Sequence, residues 1–141
     1  MIWVIAGTLD GRNLAVAVQE HTGLPVLVSV VSQYGAQLAS HPGIEVHEGR
    51  LNLEEMKALI QNKGITMLID ASHPYAAIVT ATAREAAADM DIPFIRFERK
   101  EVPLPEYDKL HHVSNEEEAA TLAGELGKVV YLTTGSKTMH I

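Results

Sequence analysis

Short runs of β-branched and other apolar residues alternate along this chain with longer segments of helical period, and few folds accommodate that alternation. The runs are Trp3–Ala6, Pro25–Val31, Ile44–His47, Ile65–Ile69, Pro93–Phe97 and Lys128–Leu132. They are nearly all apolar, which is the pattern of strands covered on both sides of a parallel sheet. In the segment after Pro74, residues Val79, Ala83, Ala86 and Met90 fall at helical spacing, and Arg84, Glu85 and Asp89 take the other side. Consecutive parallel strands need crossover helices, so the chain predicts an α/β fold: a doubly wound, Rossmann-like, mostly parallel sheet with helices on both faces.

Local signals mark the element ends. Asn52 stands three residues before Glu55, and Ser114 three before Glu117, both at capping-box spacing. Pro74 suits a first helical turn, where its missing N–H has no partner to lose. Gly23, Gly64 and Gly127 stand where helices should stop. The proline-containing polar stretch Glu101–Leu110 then interrupts the pattern. This predicts a Rossmann-like domain over 1–100, a linker over 101–110, and the start of a second α/β domain over 111–141. Thr133-Thr134-Gly135-Ser136-Lys137 reads as that domain's opening turn. The rest of it is expected to be missing or supplied by another copy, and the uncovered strand edge beside Thr133 is a route to a homo-oligomer.

Composition narrows the partners. The 141 residues carry 11 basic and 18 acidic side chains, a formal net charge of −7, which repels nucleic-acid phosphates unless a local basic patch intervenes. The chain has no cysteine, which removes disulfides, thiolate metal sites and cysteine nucleophiles together and fits a reducing cytosol. The apolar run from Met1 stops at Gly7, too short for a signal peptide or a membrane span. The expectation is a cytoplasmic protein that handles something small, with neither nucleic acid nor membrane as partner.

In an open parallel sheet, ligands bind at the carboxyl ends of the strands, so the loops leaving those ends are the candidates. After the first run comes Gly7-Thr8-Leu9-Asp10-Gly11-Arg12. Gly7 permits a tight turn, Gly11 lets backbone approach a ligand, and Arg12 on the first helical turn favours an anion. The spacing is neither GxGxxG nor Walker, and the plainer reading is a βα turn with Asp10 as N-cap. After the second run, Ser32-Gln33-Tyr34-Gly35 lacks the acid that holds a ribose 2′-hydroxyl, which favours NADPH over NADH. After the fourth, Asp70-Ala71-Ser72-His73-Pro74-Tyr75 packs an acid, a hydroxyl, an imidazole and a phenol into six residues. His73 would sit at the ligand edge, where its tunable pKa has a use, with Asp70 orienting it or capping the turn; where the chemistry needs a proton, His73, Tyr75 and bulk water are the alternative sources. Arg50, Arg96, Arg99 and Lys137 fall at or near loop ends and would form a basic rim for a polycarboxylate or phosphate. Strand alternation puts Arg96 and Glu98 on one side and Phe97 and Arg99 on the other. No histidine spacing marks a metal site, and no G-x-S-x-G elbow or Tyr-x-x-x-Lys pair occurs.

Taken in order, Gly7-Thr8-x-Asp10-Gly11-Arg12, Ser32-Gln33-Tyr34-Gly35, Gly49-Arg50-Leu51, Asp70 through Ala76, Ile92 through Arg99 and Thr134-Gly135-Ser136-Lys137 resemble the precorrin-6A and cobalt-precorrin-6A reductase family. The resemblance runs along the whole chain. It implies an NADPH-dependent reductase that saturates a double bond of a corrin-precursor macrocycle, a tetrapyrrole, with cofactor and substrate between two α/β domains. The family usually has Glu at the position of Asp10 and often Thr at that of Ser72, and its members run on for about another domain. The resemblance implies cofactor contacts at Gly7, Thr8, Gly11, Arg12, Ser32, Gln33 and Tyr34. Substrate acetates and propionates would meet Arg50, Arg96, Arg99 and Lys137. A different class of function, a nucleotide-binding or interaction module without turnover, also suits a chain of this length.

Overall fold

The computed structural model describes residues 1–31, 41–98 and 103–133. The chain divides into two compact units, Met1–Lys100 and Glu101–Ile141.

Among its described residues the first unit holds five strands and three helices in the order β1 (Ile2–Ala6), α1 (Leu9–Thr22), β2 (Val26–Val30), β3 (Ile44–Glu48), α2 (Leu53–Lys63), β4 (Met67–Ala71), α3 (Ala77–Asp89) and β5 (Phe94–Arg96). All strand pairings are parallel, and the strand order is β3-β2-β1-β4-β5. The chain therefore builds outward from β1 to β3, then returns to the other side of β1 to lay down β4 and β5. This reversal between β1 and β4 opens a crevice above their carboxyl ends, the place where such sheets bind ligands.

Alternation along the central strand sorts the core into two layers. Ile2, Val4 and Ala6 of β1 pack with Val26, Val28 and Val30 of β2 and with Ala15, Leu14 and Val18 of α1. Trp3 and Ile5 point the other way, onto Met56 and Ile60 of α2 and Ala83, Ala86 and Ala87 of α3. Thus α1 covers one face, and α2 and α3 cover the other. Val79 and Met90 lie at the margin of the second layer, so the stripe read after Pro74 faces the sheet. Trp3 is wholly buried, and its indole N–H donates to Ser29 Oγ on β2 at 2.8 Å.

Local chemistry sets most boundaries. Asn52 and Glu55 form the expected capping box, with Glu55 N–H donating to Asn52 Oδ1 at 3.0 Å and Asn52 N–H to Glu55 Oε2 at 2.8 Å. Gly23 and Gly64 end α1 and α2 in the left-handed conformation, at φ of 67° and 60°. Pro74 does not open α3. The carbonyl of His73 accepts from Ala76 N–H at 2.8 Å, closing a β-turn with Pro74 at its second position, and the helix starts at Ala77. The fourth strand likewise begins at Met67, because Ile65 N–H is taken by the Ile60 carbonyl in the turn that ends α2.

In the second unit, α4 spans Glu116–Leu126. Its cap is Asn115 rather than Ser114: Glu118 N–H donates to Asn115 Oδ1, and Glu118 Oε2 reaches past the cap to Ser114 N–H, both at 2.8 Å. Gly127 ends the helix with extended backbone. Lys128–Leu132 forms no strand, since an apolar β-branched run becomes one only against a neighbour's ladder and no described strand pairs with it. Among the described residues no helix is long and apolar enough to cross a membrane.

Candidate active site

Two loops leave the sheet at the β1/β4 crevice and touch there. A Cβ on Gly7 would lie 3.5 Å from His73 N and 3.7 Å from Ser72 Cα, so the backbones after β1 and β4 run side by side. Gly7 and His73 are exposed at this seam.

On the β1 side the N-cap is Thr8, not Asp10. Thr8 Oγ1 accepts from Gly11 N–H, and its carbonyl starts the helical ladder by accepting from Arg12 N–H, each at 3.3 Å. Asp10 lies within the first turn, where a carboxylate favours the helix N-terminus. Gly11 is buried, and its missing side chain serves packing rather than ligand approach. A Cβ there would meet the Ala71 carbonyl oxygen at 3.0 Å and Ala6 Cα and Cβ at 3.1 Å. Glycine thus lets α1 start close against β1 and β4, with the half-exposed Arg12 next along its first turn.

On the β4 side the centre is a buried carboxylate. Asp70 is 0% exposed, and both of its side-chain oxygens are engaged. Oδ1 accepts from Ser72 N–H at 2.9 Å, while Oδ2 accepts from Thr80 Oγ1 at 2.6 Å and pairs with Arg96 Nη1 at 2.8 Å. Arg96 Nη1 also donates to Ser72 Oγ at 3.1 Å, and Arg96 Nε to Glu98 Oε1 at 2.9 Å. A charge buried this deeply is tolerated because a cation and two further donors replace its water. No ligand can touch Asp70 directly. It caps the turn through Ser72 and makes no bond to His73.

His73 is instead held by its own turn. Its Nδ1 accepts from Tyr75 N–H at 3.1 Å, and the two rings lie 5.0 Å apart at 56°. With Nδ1 an acceptor, the neutral imidazole carries its proton on Nε2. Tyr75 is 92% exposed.

Of the four residues of the basic rim, Arg50 and Arg96 are described, and these two do not come together. Arg96 is committed to Asp70, Ser72 and Glu98. The pairing of Arg96 with Glu98 follows from strand alternation, but the demand of Asp70 on Arg96 does not, because β4 and β5 meet only in the folded sheet. Arg50 is exposed just after β3, on the opposite edge of the sheet from β5. Four strand spacings of about 4.8 Å separate those edges, roughly 19 Å. Ser32, Gln33, Tyr34, Arg99 and Lys137 lie outside the described residues. Thr80 was not singled out in the sequence. A threonine eight residues after a loop serine, near a helix start, is its only trace there.

The profile of the family described as "Precorrin-6x reductase CbiJ/CobK" matches residues 1–141. Similar proteins include the cobalt-precorrin-6A reductase of Priestia megaterium, 41% identical over 141 residues, which are all of this chain and 54% of the relative. That of Synechocystis is 36% identical over 104 residues, 73% of this chain and 40% of the relative. This chain therefore spans about half the length of the curated relatives it matches. Among solved structures, a CobK precorrin-6A reductase superposes with a TM-score of 0.67 at 23% identity, covering 86% of this chain and 47% of that one; this likeness concerns the fold.

Proposed function

This chain belongs to the precorrin-6x reductase family, and from that premise we propose that it carries the cofactor side of a cytoplasmic, NADPH-dependent reductase acting on a double bond of the precorrin-6A or cobalt-precorrin-6A macrocycle in cobalamin biosynthesis. The observation that supports this most is the meeting of the Gly7 and Ser72–His73 backbones at the β1/β4 crevice, within a chain that matches the family along its whole length.

The residues at that crevice fit a dinucleotide. Gly7 leaves the turn open at the seam, and Gly11 lets the N-terminus of α1, where backbone N–H groups favour phosphate, sit against β1 and β4. Thr8 and Arg12 flank that position, and Ser32, Gln33 and Tyr34 would tolerate a 2′-phosphate. A bound reduced nicotinamide supplies the hydride. The chain's own residues align the cofactor and offer a proton. His73 donates a hydrogen bond through Nε2–H while neutral and passes on a proton only as the imidazolium, which gives up the Nδ1 bond to Tyr75 N–H; Tyr75 presents a phenol beside it. Asp70 acts indirectly by holding Ser72, and Arg96 is spent on the same task. Substrate carboxylates then fall to Arg50, Arg99 and Lys137.

Titration with NADPH and NADH, followed by fluorescence of the reduced nicotinamide, tests the cofactor assignment. NADPH should bind more tightly, and Arg12→Ala should weaken it about tenfold or more, since a charge-assisted hydrogen bond contributes about 1.5–3 kcal/mol. Unchanged affinity in Arg12→Ala would remove the phosphate site from α1. Binding of NADPH with no spectral change of a supplied tetrapyrrole would favour the binding module without turnover.

A further inference from the structure

We propose that Thr80 is a positioning residue for His73, an assignment that rests on the reading of His73 as the group serving the ligand edge. Thr80 lies in the first turn of α3 and reaches the His73 loop from both ends. Its backbone N–H donates to the Ala76 carbonyl at 3.2 Å, where the His73–Ala76 turn closes. Its hydroxyl donates to Asp70 Oδ2 at 2.6 Å, at the root of the loop.

Hydrogen-bond inventory gives the cluster a direction. A threonine hydroxyl has one proton, and a carboxylate can only accept, so the Thr80 proton goes to Asp70. At the 3.4 Å contact between Ser72 Oγ and Thr80 Oγ1, Ser72 must then be the donor. Ser72 Oγ in turn accepts from Arg96 Nη1. The resulting chain runs from Arg96 to Ser72 to Thr80 to Asp70, and Arg96 closes it by pairing with Asp70 directly. Ser72 is thereby held through its hydroxyl and, by Asp70 Oδ1, through its backbone N–H. The next peptide carries His73. Its ring orientation depends on Tyr75 N–H meeting Nδ1, which requires the turn to start from a fixed Ser72. Without the Thr80 hydroxyl, Ser72 loses its acceptor and Asp70 loses its only described tie to α3. The turn is then held only by Arg96 and by the Ser72 N–H bond to Asp70 Oδ1.

The test compares Thr80→Val, Thr80→Ala and Thr80→Ser in the ligand-free chain. Two readouts are local: the imidazole 15N shifts of His73, identified against a His73→Gln spectrum, and amide hydrogen exchange at Tyr75. Exchange at Val4 and Leu68 in the core serves as the reference. The expected result is that Thr80→Val and Thr80→Ala speed Tyr75 exchange about tenfold, the change that follows from losing one hydrogen bond's worth of local stability. Both should also average the His73 shifts toward mixed tautomers, with core exchange unchanged. Thr80→Ser should restore the wild-type values. Wild-type shifts and exchange in Thr80→Val would overturn the assignment, as would Thr80→Ser behaving like Thr80→Val. Global unfolding of both Thr80→Val and Thr80→Ala would make Thr80 a folding residue and overturn it too. No ligand enters these measurements, so failure of the reductase reading shows separately, as loss of selective NADPH binding in the wild-type chain.

Discussion

Gly11→Ala sets two physical effects against each other. Local propensity favours the change, since alanine in a helix is better than glycine by up to about 1 kcal/mol. Packing opposes it. The new methyl would sit 3.0 Å from the Ala71 carbonyl oxygen and 3.1 Å from Ala6 Cα and Cβ, against ordinary contact beyond about 3.4 Å. Two of those three atoms are backbone of β1 and β4, the two strands at the middle of the sheet, which are hydrogen-bonded to each other and to β2 and β5. They cannot step aside as a flexible side chain would. Overpacking of this kind costs about 1–3 kcal/mol. Packing should prevail, leaving a net loss of about 1–2 kcal/mol and a start of α1 displaced by a few tenths of an ångström. The chain's single tryptophan, Trp3, is buried between β1 and α2/α3 and reports unfolding of this unit. In urea, with a slope of about 2 kcal/mol/M, the midpoint should fall by about 0.5–1 M. NADPH affinity should fall with it, because the first turn of α1 moves. A midpoint equal to or above wild type would refute the reasoning: it would mean the helix start is loosely seated and Gly11 is there for some other reason.

Two further expectations concern stability. Ser29→Ala removes the acceptor of the buried Trp3 indole N–H and should cost about 1–3 kcal/mol, read as a lowered urea midpoint with altered Trp3 emission; a variant of unchanged midpoint would mean the bond contributes nothing. Lys57 ties α2 to α3, pairing with Asp89 at 3.1 Å and Glu54 at 3.2 Å, and these hydrogen bonds, Asp89's first, raise its pKa. A raised lysine pKa stabilises the fold fully below the unfolded value, about 10.4, and ceases to do so as pH climbs through the folded one. Lys57→Met should therefore be less stable than wild type at neutral pH, and the gap should close in strong alkali; a gap that stays constant with pH would show the tie to be apolar packing of the lysine stem.

Much of this protein was legible in its residues because the deciding interactions are local. The near-continuous apolar runs at Ile2–Ala6 and Val26–Val30 announce strands covered on both faces, and both are buried throughout. Asn52 with Glu55, and the glycines at 23 and 64, act within a few residues of themselves. A strand, by contrast, exists only beside another strand, so Lys128–Leu132 carried the right composition and formed none. Helix starts shifted by one or two residues at Thr8 and Asn115, because several nearby polar groups compete to cap one end, and by three at Ala77, where a β-turn over His73–Ala76 comes first and no side chain caps the helix. The site divides the same way. Residue types alone made the loop after the fourth strand conspicuous and put Gly7 and Arg12 beyond the carboxyl end of the first strand, where the fold has them. Only the folded sheet brings Thr80 of α3 and Arg96 of β5 onto Asp70, separated from it by 10 and 26 residues. That contact withdraws an aspartate and an arginine from the ligand and assigns them to holding a turn. Periodicity and capping are properties of a segment; the demand of a buried carboxylate for donors is met by whatever the fold places beside it.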